Sequence, residues 1–421
     1  MDPYKKICPN CFRGTFVGKV CSHCHFDINS IDKFIEPLPP HTVLHNRYLI
    51  GKPLGQGGFG ITYKSFDLKE QKIVVVKENF PITLGINRKD LGHIPTSIIY
   101  GYRKIQKRFI EEAAMLKELS KYHYRYIVQV SDMFDECNTN YYVMEYLDGK
   151  SLNNYLGKLS ADELLSMFVK IAGDLSRLHK EHGLLHRDIS PGNIMITKNL
   201  HPTLIDFGAA KFVAQDEAQT NTVLLKEHFA PIEQRNPDAQ QGPYTDVYAL
   251  AATLYYMLTK QYVPDPSLRR TDNEHCSTLK ELNIPVSQKV SDAVEWALVV
   301  EPEKRMQTMD QFIQGIKNDL KIIIILVSEQ QKKRYKIKPN SQIKVGRNKD
   351  NHIIIDNKVI SKHHLTISYE EDTQYFLVKD HSTNGIYINN KFYNNQSIAL
   401  KKGKIIFPAI DDYLVLEVEN G

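Results

Sequence analysis

Hydrophobic periodicity changes twice along this chain, and that double change limits the folds open to it. Short β-branched runs at residues 48–51, 60–66 and 73–77 read as strands. Longer segments at 104–121, 161–182, 244–258, 287–300 and 309–320 carry apolar residues at helical spacing. From residue 321 short strands return roughly every 8–12 residues, with Gly, Asn and Asp turns between them, as in a β-sandwich. The pattern predicts a β-rich lobe joined to an α-rich lobe, followed by a separate β domain. At 421 residues the chain is too long for one compact core, which agrees.

Composition excludes some classes. With 42% apolar and 24% charged residues the chain is not a disordered one. The longest aliphatic run, residues 322–327, is far short of the ~20 needed to span a bilayer. No apolar stretch follows Met1-Asp2-Pro3-Tyr4-Lys5-Lys6, so a cytoplasmic protein without membrane insertion is expected. Net charge is +5, and residues 321–421 hold 16 basic against 11 acidic side chains. That surplus suits an anionic ligand or merely a solvated surface.

Four of the six cysteines form two pairs, Cys8-Pro9-Asn10-Cys11 and Cys21-Ser22-His23-Cys24, separated by nine residues. Two tight turns presenting two thiolates each complete a tetrahedral site suited to zinc. This resembles the zinc-ribbon family. Four thiolates leave no open coordination position, so a structural Zn²⁺ is expected, supplying most of the folding energy of residues 1–29. Residues 30–45 contain Pro37-Leu38-Pro39-Pro40 and read as an extended connector.

Gly55-Gln56-Gly57-Gly58-Phe59-Gly60 lies between two strand patterns, where backbone N–H groups can approach phosphate oxygens. Residues 73–77 form a buried-strand pattern ending in Lys77. Downstream, Ile105, Phe109, Leu116 and Leu119 make an apolar helical stripe that includes Glu112. A carboxylate on a buried stripe needs a cation, and Lys77 is the candidate.

His186-Arg187-Asp188-Ile189-Ser190-Pro191-Gly192-Asn193, then Asp206-Phe207-Gly208 and Ala230-Pro231-Ile232-Glu233, resemble the eukaryotic-type protein kinases, in wording most similar to bacterial Ser/Thr members. The resemblance covers residues 46–320. It implies a bilobal kinase fold that uses ATP with Mg²⁺ (or Mn²⁺) and assigns the reaction to Asp188, Lys77, Glu112, Asn193 and Asp206. Asp188 would accept the hydroxyl proton, while Asn193 and Asp206 would bind the metal. Nucleotide binding falls to Gly55, Gln56, Gly57, Gly58, Phe59, Gly60 and Lys77, with Glu145 and Leu147 as the hinge for adenine. Arg187 suggests control by activation-segment phosphorylation, for which Thr220 and Thr222 are either acceptors or ordinary loop residues. Ser/Thr-specific members usually carry lysine where this chain has Ser190. The long stretch between Lys77 and Glu112, with Phe80-Pro81 and an irregular region from Gly85 to Gly101, is a regulatory insertion or a surface loop.

In the tail, Lys344-Val345-Gly346-Arg347, Ser361-Lys362-His363-His364 and Asp380-His381-Ser382-Thr383-Asn384-Gly385 resemble forkhead-associated (FHA) domains over residues 321–421. The resemblance implies phosphopeptide binding through Arg347, Ser361, Lys362, Thr383 and Asn384. Expected partners are protein substrates and phosphothreonine-containing proteins, or its own phosphorylated activation segment in a transient homodimer, and no nucleic acid. The full expectation is a multidomain α+β protein: zinc ribbon 1–29, connector 30–45, kinase 46–320 and FHA β-sandwich 321–421. The alternative is a pseudokinase scaffold that reads phosphopeptides without catalysis.

Overall fold

A computed structural model describes residues 4, 6–58, 60–92, 94–207, 211–212, 228–236, 238–271, 274–317, 321–328, 332–338, 340–370, 373 and 375–419. The chain divides into two compact units, Met1–Lys317 and Asn318–Gly421.

The first unit opens its β-rich lobe with β1 (Tyr48–Gly57), β2 (Gly60–Asp67) and β3 (Lys72–Asn79). Helix α1 (Ile99–Leu119) crosses to β4 (Val130–Glu136) and β5 (Thr139–Glu145). Together with the short strand Val43–Leu44 these strands make one antiparallel sheet, ordered Val43–Leu44, β1, β2, β3, β5, β4. Alternate residues of β1 to β3 and β5, among them Tyr48, Ile50, Ile61, Tyr63, Val74, Val76, Tyr141 and Val143, bury one face. Helix α1 begins earlier than its apolar stripe suggests, at Ile99, and its N-cap Ile98 makes no side-chain cap bond. Between β3 and α1, Phe80, Ile86 and Leu91 are buried and pack into the lobe.

Helix α2 (Ala161–His182) runs between the boundaries the sequence pattern marks. Ser160 and Glu163 form a reciprocal capping box, and Gly183 ends the helix at φ 60°, a conformation open to glycine. Its buried stripe (Leu164, Phe168, Ile171, Leu175, Leu178) meets α3 (Pro243–Thr259) and α6 (Met309–Ile316), on which α5 (Gln288–Ala297) packs in turn, with the short α4 (Pro266–Arg270) between α3 and α5 in sequence. Each such buried Leu, Ile or Phe contributes about 1.5–3 kcal/mol, which is what fixes the α-rich lobe as a platform. Among the described residues no helix is long and apolar enough to cross a membrane.

The second unit is a sandwich of a six-stranded and a five-stranded sheet. The aliphatic run lies in the strand Lys321–Val327, whose Ile322, Ile324 and Leu326 enter the core with Val345, Ile367, Phe376, Val378 and Leu416.

Candidate functional site

The β1–β2 turn carries the glycine loop, with Gly57 paired to Gly60 and Gly55 to Thr62. A Cβ on Gly60 would lie 2.3 Å from the Glu78 carbonyl oxygen, so only glycine lets β3 pass this closely. Gly58 O accepts from Thr83 Oγ1 at 3.0 Å, which ties the loop to the insertion. Phe59 lies outside the described residues. Gln56 turns its side chain away from the loop: Oε1 accepts from Ile35 N at 2.8 Å and Nε2 donates to Ile35 O at 2.7 Å. The Gln56 amide is thus engaged with the connector, and only its backbone lies along the loop.

Lys77 sits late in β3, and its Nζ lies 3.1 Å from Glu112 Oε1 and 3.6 Å from Asp206 Oδ1. Glu112 faces inward on α1 and is 8% exposed, whereas Glu111 is exposed and pairs with Lys107. Burial works against the charge on Lys77, but the carboxylates of Asp206 and Glu112 outweigh it and hold the ammonium well above the ordinary lysine range. Burial likewise pushes the Glu112 carboxyl up, with Lys77 opposing.

The loop after α2 holds the remaining polar groups. Asn193 Nδ2 donates to Asp188 O at 2.8 Å and to Asp188 Oδ2 at 2.7 Å, which locks the aspartate and leaves the amide oxygen as the atom for a cation. That oxygen and the Asp206 carboxylate are the hard donors Mg²⁺ prefers. Ser190 is 1% exposed, so its hydroxyl is packed into the loop and does not take the place of an ammonium. Glu145 ends β5 and Leu147 follows it at the junction of the lobes, where Glu145 N donates to Gln129 O.

Asp246 anchors this loop from below, a role the sequence pattern did not disclose. It accepts from His186 N and Arg187 N at 2.8 Å each and contacts His179 Nε2 at 2.8 Å. Burial opposes its charge, yet the His179 bond leads the contacts that hold its carboxyl below the usual range. His186 in turn packs against Phe207, the rings tilted at 53° with centroids 4.3 Å apart. Glu233 and Arg305 form a fully buried bidentate pair at 2.7 and 3.1 Å, closing the segment that follows residues 213–227. Thr220 and Thr222 lie outside the described residues.

The four Cys Sγ atoms of the knuckle lie within 4.8 Å of one another, with Cys8–Cys24 at 3.7 Å and Cys11–Cys21 at 3.8 Å. Four sulfurs around a zinc at ~2.3 Å stand about 3.8 Å apart, so the donor set fits that ion. Backbone N–H groups of Asn10, Gly14 and His23 point at three of the sulfurs. The knuckle rests on the β-rich lobe. Lys52 N donates to Pro9 O, Phe12 stacks against Phe66 at 5.6 Å, and a Cβ on Gly51 would lie 2.2 Å from Pro9 O. The connector is fastened too, through Leu38 N to the Tyr63 hydroxyl and Arg88 Nη2 to Glu36 O.

In the second unit three loops bring the phosphopeptide candidates together. Arg347 N donates to Ser361 O, and Arg347 Nε to Ile360 O at 3.2 Å. Thr383 N donates to Ser361 Oγ at 3.3 Å, and Asn384 Nδ2 to Val359 O at 3.1 Å. Lys362 O accepts from Asn351 Nδ2 and the Lys362 side chain is exposed. Gly346 is obligatory here, since a Cβ would meet Lys362 O at 2.4 Å.

A lysine held between two carboxylates, together with an aspartate locked by an asparagine, is the arrangement phosphoryl transfer asks for. Residues 48–315 match the family described as Protein kinase domain, and residues 343–406 match the FHA domain. The chain belongs to the protein kinase family and carries an FHA domain after the kinase segment. Bacterial kinases are among its relatives. A probable serine/threonine-protein kinase of Clostridium perfringens is 28% identical over 298 residues, covering 67% of this chain and 40% of the relative. Serine/threonine-protein kinase D of Synechocystis sp. is 29% identical over 284 residues, covering 64% of this chain and 52% of the relative. This chain thus spans about half the length of these curated relatives, or less. A solved structure described as "PpkA-294 apo form" superposes with a TM-score of 0.59 at 28% identity, covering 67% of this chain and 100% of that one.

Proposed function

We propose that this chain transfers the γ-phosphoryl group of ATP to serine or threonine hydroxyls of proteins, itself included, and reads phosphothreonine with its C-terminal domain. The observation that carries the proposal is Lys77 Nζ set 3.1 Å from Glu112 and 3.6 Å from Asp206. When bound, ATP supplies the phosphoryl group and Mg²⁺ (or Mn²⁺) neutralises its oxygens. Lys77 holds the α- and β-phosphates, oriented by Glu112. Asp206 and the Asn193 amide oxygen hold the cation. Asp188, fixed by Asn193, orients the attacking hydroxyl and takes its proton as the new P–O bond forms and ADP leaves. Backbone groups of the glycine loop and of the Glu145–Leu147 hinge take phosphate and adenine.

The division into a zinc ribbon at 1–29, a connector at 30–45, a kinase at 46–320 and a phosphopeptide reader at 321–421 belongs to the same reading, as does a cytoplasmic location. Arg187 is 8% exposed, and burial pulls its guanidinium below the ordinary arginine range, with Arg108 adding repulsion. Such a group welcomes an anion, which supports control by a phosphorylated activation segment. In the reader, Arg347, Ser361 and Lys362 take the phosphate while Thr383 and Asn384 take the peptide backbone. A pseudokinase would need a lysine, base or metal ligand to be missing, and none is.

Transfer of ³²P from labelled ATP, followed by phosphosite mapping, tests the reading. Wild type is expected to label serine and threonine. Asp188→Ala is expected to lose at least about 10³-fold in rate, because general-base positioning and nucleophile alignment go together. Equal incorporation by the two proteins overturns the assignment.

A further inference from the structure

Tyr142 is fully buried in β5, directly across the sheet from Lys77. Opposed residues on neighbouring antiparallel strands project to the same face, so register alone brings the phenol to the ammonium. Its hydroxyl donates to Glu112 Oε1 at 2.9 Å, the same oxygen that takes Lys77 Nζ at 3.1 Å. The ring lies beneath Lys77, with Nζ 5.3 Å from the centroid, and is braced by Phe109 of α1 at 5.0 Å. One side chain therefore touches both members of the cation–carboxylate pair and the helix that carries the carboxylate.

We propose that Tyr142 is a positioning residue for nucleotide binding, holding the Glu112 carboxylate and the Lys77 ammonium in register so that the lysine faces the phosphates. The proposal rests on the phosphoryl-transfer reading above. An ammonium has three N–H donors, and Glu112 and Asp206 already draw on them. Phosphate oxygens must compete for the same group. A buried carboxylate that lost part of its cation would be left under-satisfied, at a cost that favours swinging α1 away. The Tyr142 hydroxyl is a donor no phosphate can claim. Burial and the neighbouring Glu112 charge keep the phenol from ionising, so it donates throughout the working pH range. It also works against the burial that raises the Glu112 carboxyl.

The Tyr142→Phe variant removes the hydroxyl and keeps the ring, its packing on Phe109 and its face toward Lys77. Affinity for a non-hydrolysable ATP analogue, measured calorimetrically, is expected to fall about tenfold, as for loss of a hydrogen bond to a charged group. KM for ATP should rise in parallel, with KM for the protein substrate unchanged. The acid limb of kcat/KM for ATP should move up by about one pH unit, because Glu112 then protonates more readily. A packing role alone predicts none of these changes. If the phenylalanine variant does not fold, 4-fluorophenylalanine incorporated at position 142, which keeps the ring and puts a group that cannot donate in place of the hydroxyl, carries the same test. In a Glu112→Gln background the hydroxyl has no carboxylate to hold, so adding Tyr142→Phe should cost less than twofold; a full tenfold loss there overturns the mechanism. A wild-type chain that neither binds the analogue nor transfers phosphate overturns both readings. Wild-type binding beside an unchanged Tyr142→Phe overturns this inference alone.

Discussion

The two additions to the kinase segment solve the same problem in opposite ways. Among the described residues before 46, the buried hydrophobic ones are Cys8, Cys21, Ile31, Leu38 and Leu44, too few to make a core. That segment is completed by its thiolates and by the lobe beneath it, through Pro9, Phe12, Leu38 and Glu36. The C-terminal addition has some twenty buried side chains of its own, mostly Ile, Leu and Val, and forms a separate unit. An element without a core shares stability with its host, whereas one with a core keeps its changes to itself.

Stripping the knuckle should give the largest effect and cross from addition to host. Structural zinc in small Cys sites is worth about 10–16 kcal/mol of apparent binding energy, so chelation or Cys21→Ser should unfold residues 1–29. Loss of the contacts at Gly51, Lys52 and Phe66 should then lower the melting temperature of the first unit by several degrees. Because Gln56 is clasped to Ile35, ATP affinity should also weaken a few-fold. Calorimetry with two resolved transitions reads this. A first-unit transition indifferent to chelation would mean the knuckle is only tethered, and the comparison fails. The opposite behaviour is expected of Arg347→Ala. Binding of a phosphothreonine peptide should drop at least tenfold, with loss of a charge-assisted bond, while ³²P transfer to an unphosphorylated peptide stays unchanged. A loss of transfer would show the units to be coupled.

What the sequence disclosed follows the range of the forces involved. Helix α2 was legible because Ser160, Glu163 and Gly183 act within one turn of its ends. Glu112 was legible because a helical stripe is local, and the cysteines because chelate spacing is. Tyr142 was not: its partnership with Lys77 depends on the register of two strands more than sixty residues apart in sequence, and by itself it reads as one more strand aromatic. In the sequence the stretch between Lys77 and Glu112 reads either as regulatory insertion or as surface loop, for a similar reason. Arg88 is drawn inward by the buried Glu78 carboxylate, with both terminal guanidinium nitrogens engaged, and that brings Ile86 and Leu91 with it. Asp246 shows the limit most plainly, since an acidic residue in a helix's first turn is ordinary until the loop of His186 and Arg187 folds onto it.

The smallest expected effect sharpens the independence of the second unit. His364 is buried, accepts from Ser361 N through Nδ1 at 3.1 Å and meets Phe407 edge-on at 5.2 Å. Burial pulls its pKa below the ordinary value, with Asp380 opposing, so the folded unit prefers the neutral ring. The unfolded chain instead takes up a proton at a pKa of about 6.5. A depressed histidine therefore contributes stability that is whole above about pH 6.5 and declines as pH falls below it, by at most about 1.4 kcal/mol per pH unit. The second-unit melting transition should drop by a few degrees between about pH 7.5 and 5.5, and His364→Gln should flatten that part of the profile. Protonation also removes the acceptor that holds Ser361 N, so the loop carrying the phosphate contacts should loosen over the same window, visible as faster amide exchange at Ser361. A second-unit transition that is flat across this range would show that the histidine is not held neutral, and that the loop is fixed by Gly346 and Asn351 instead.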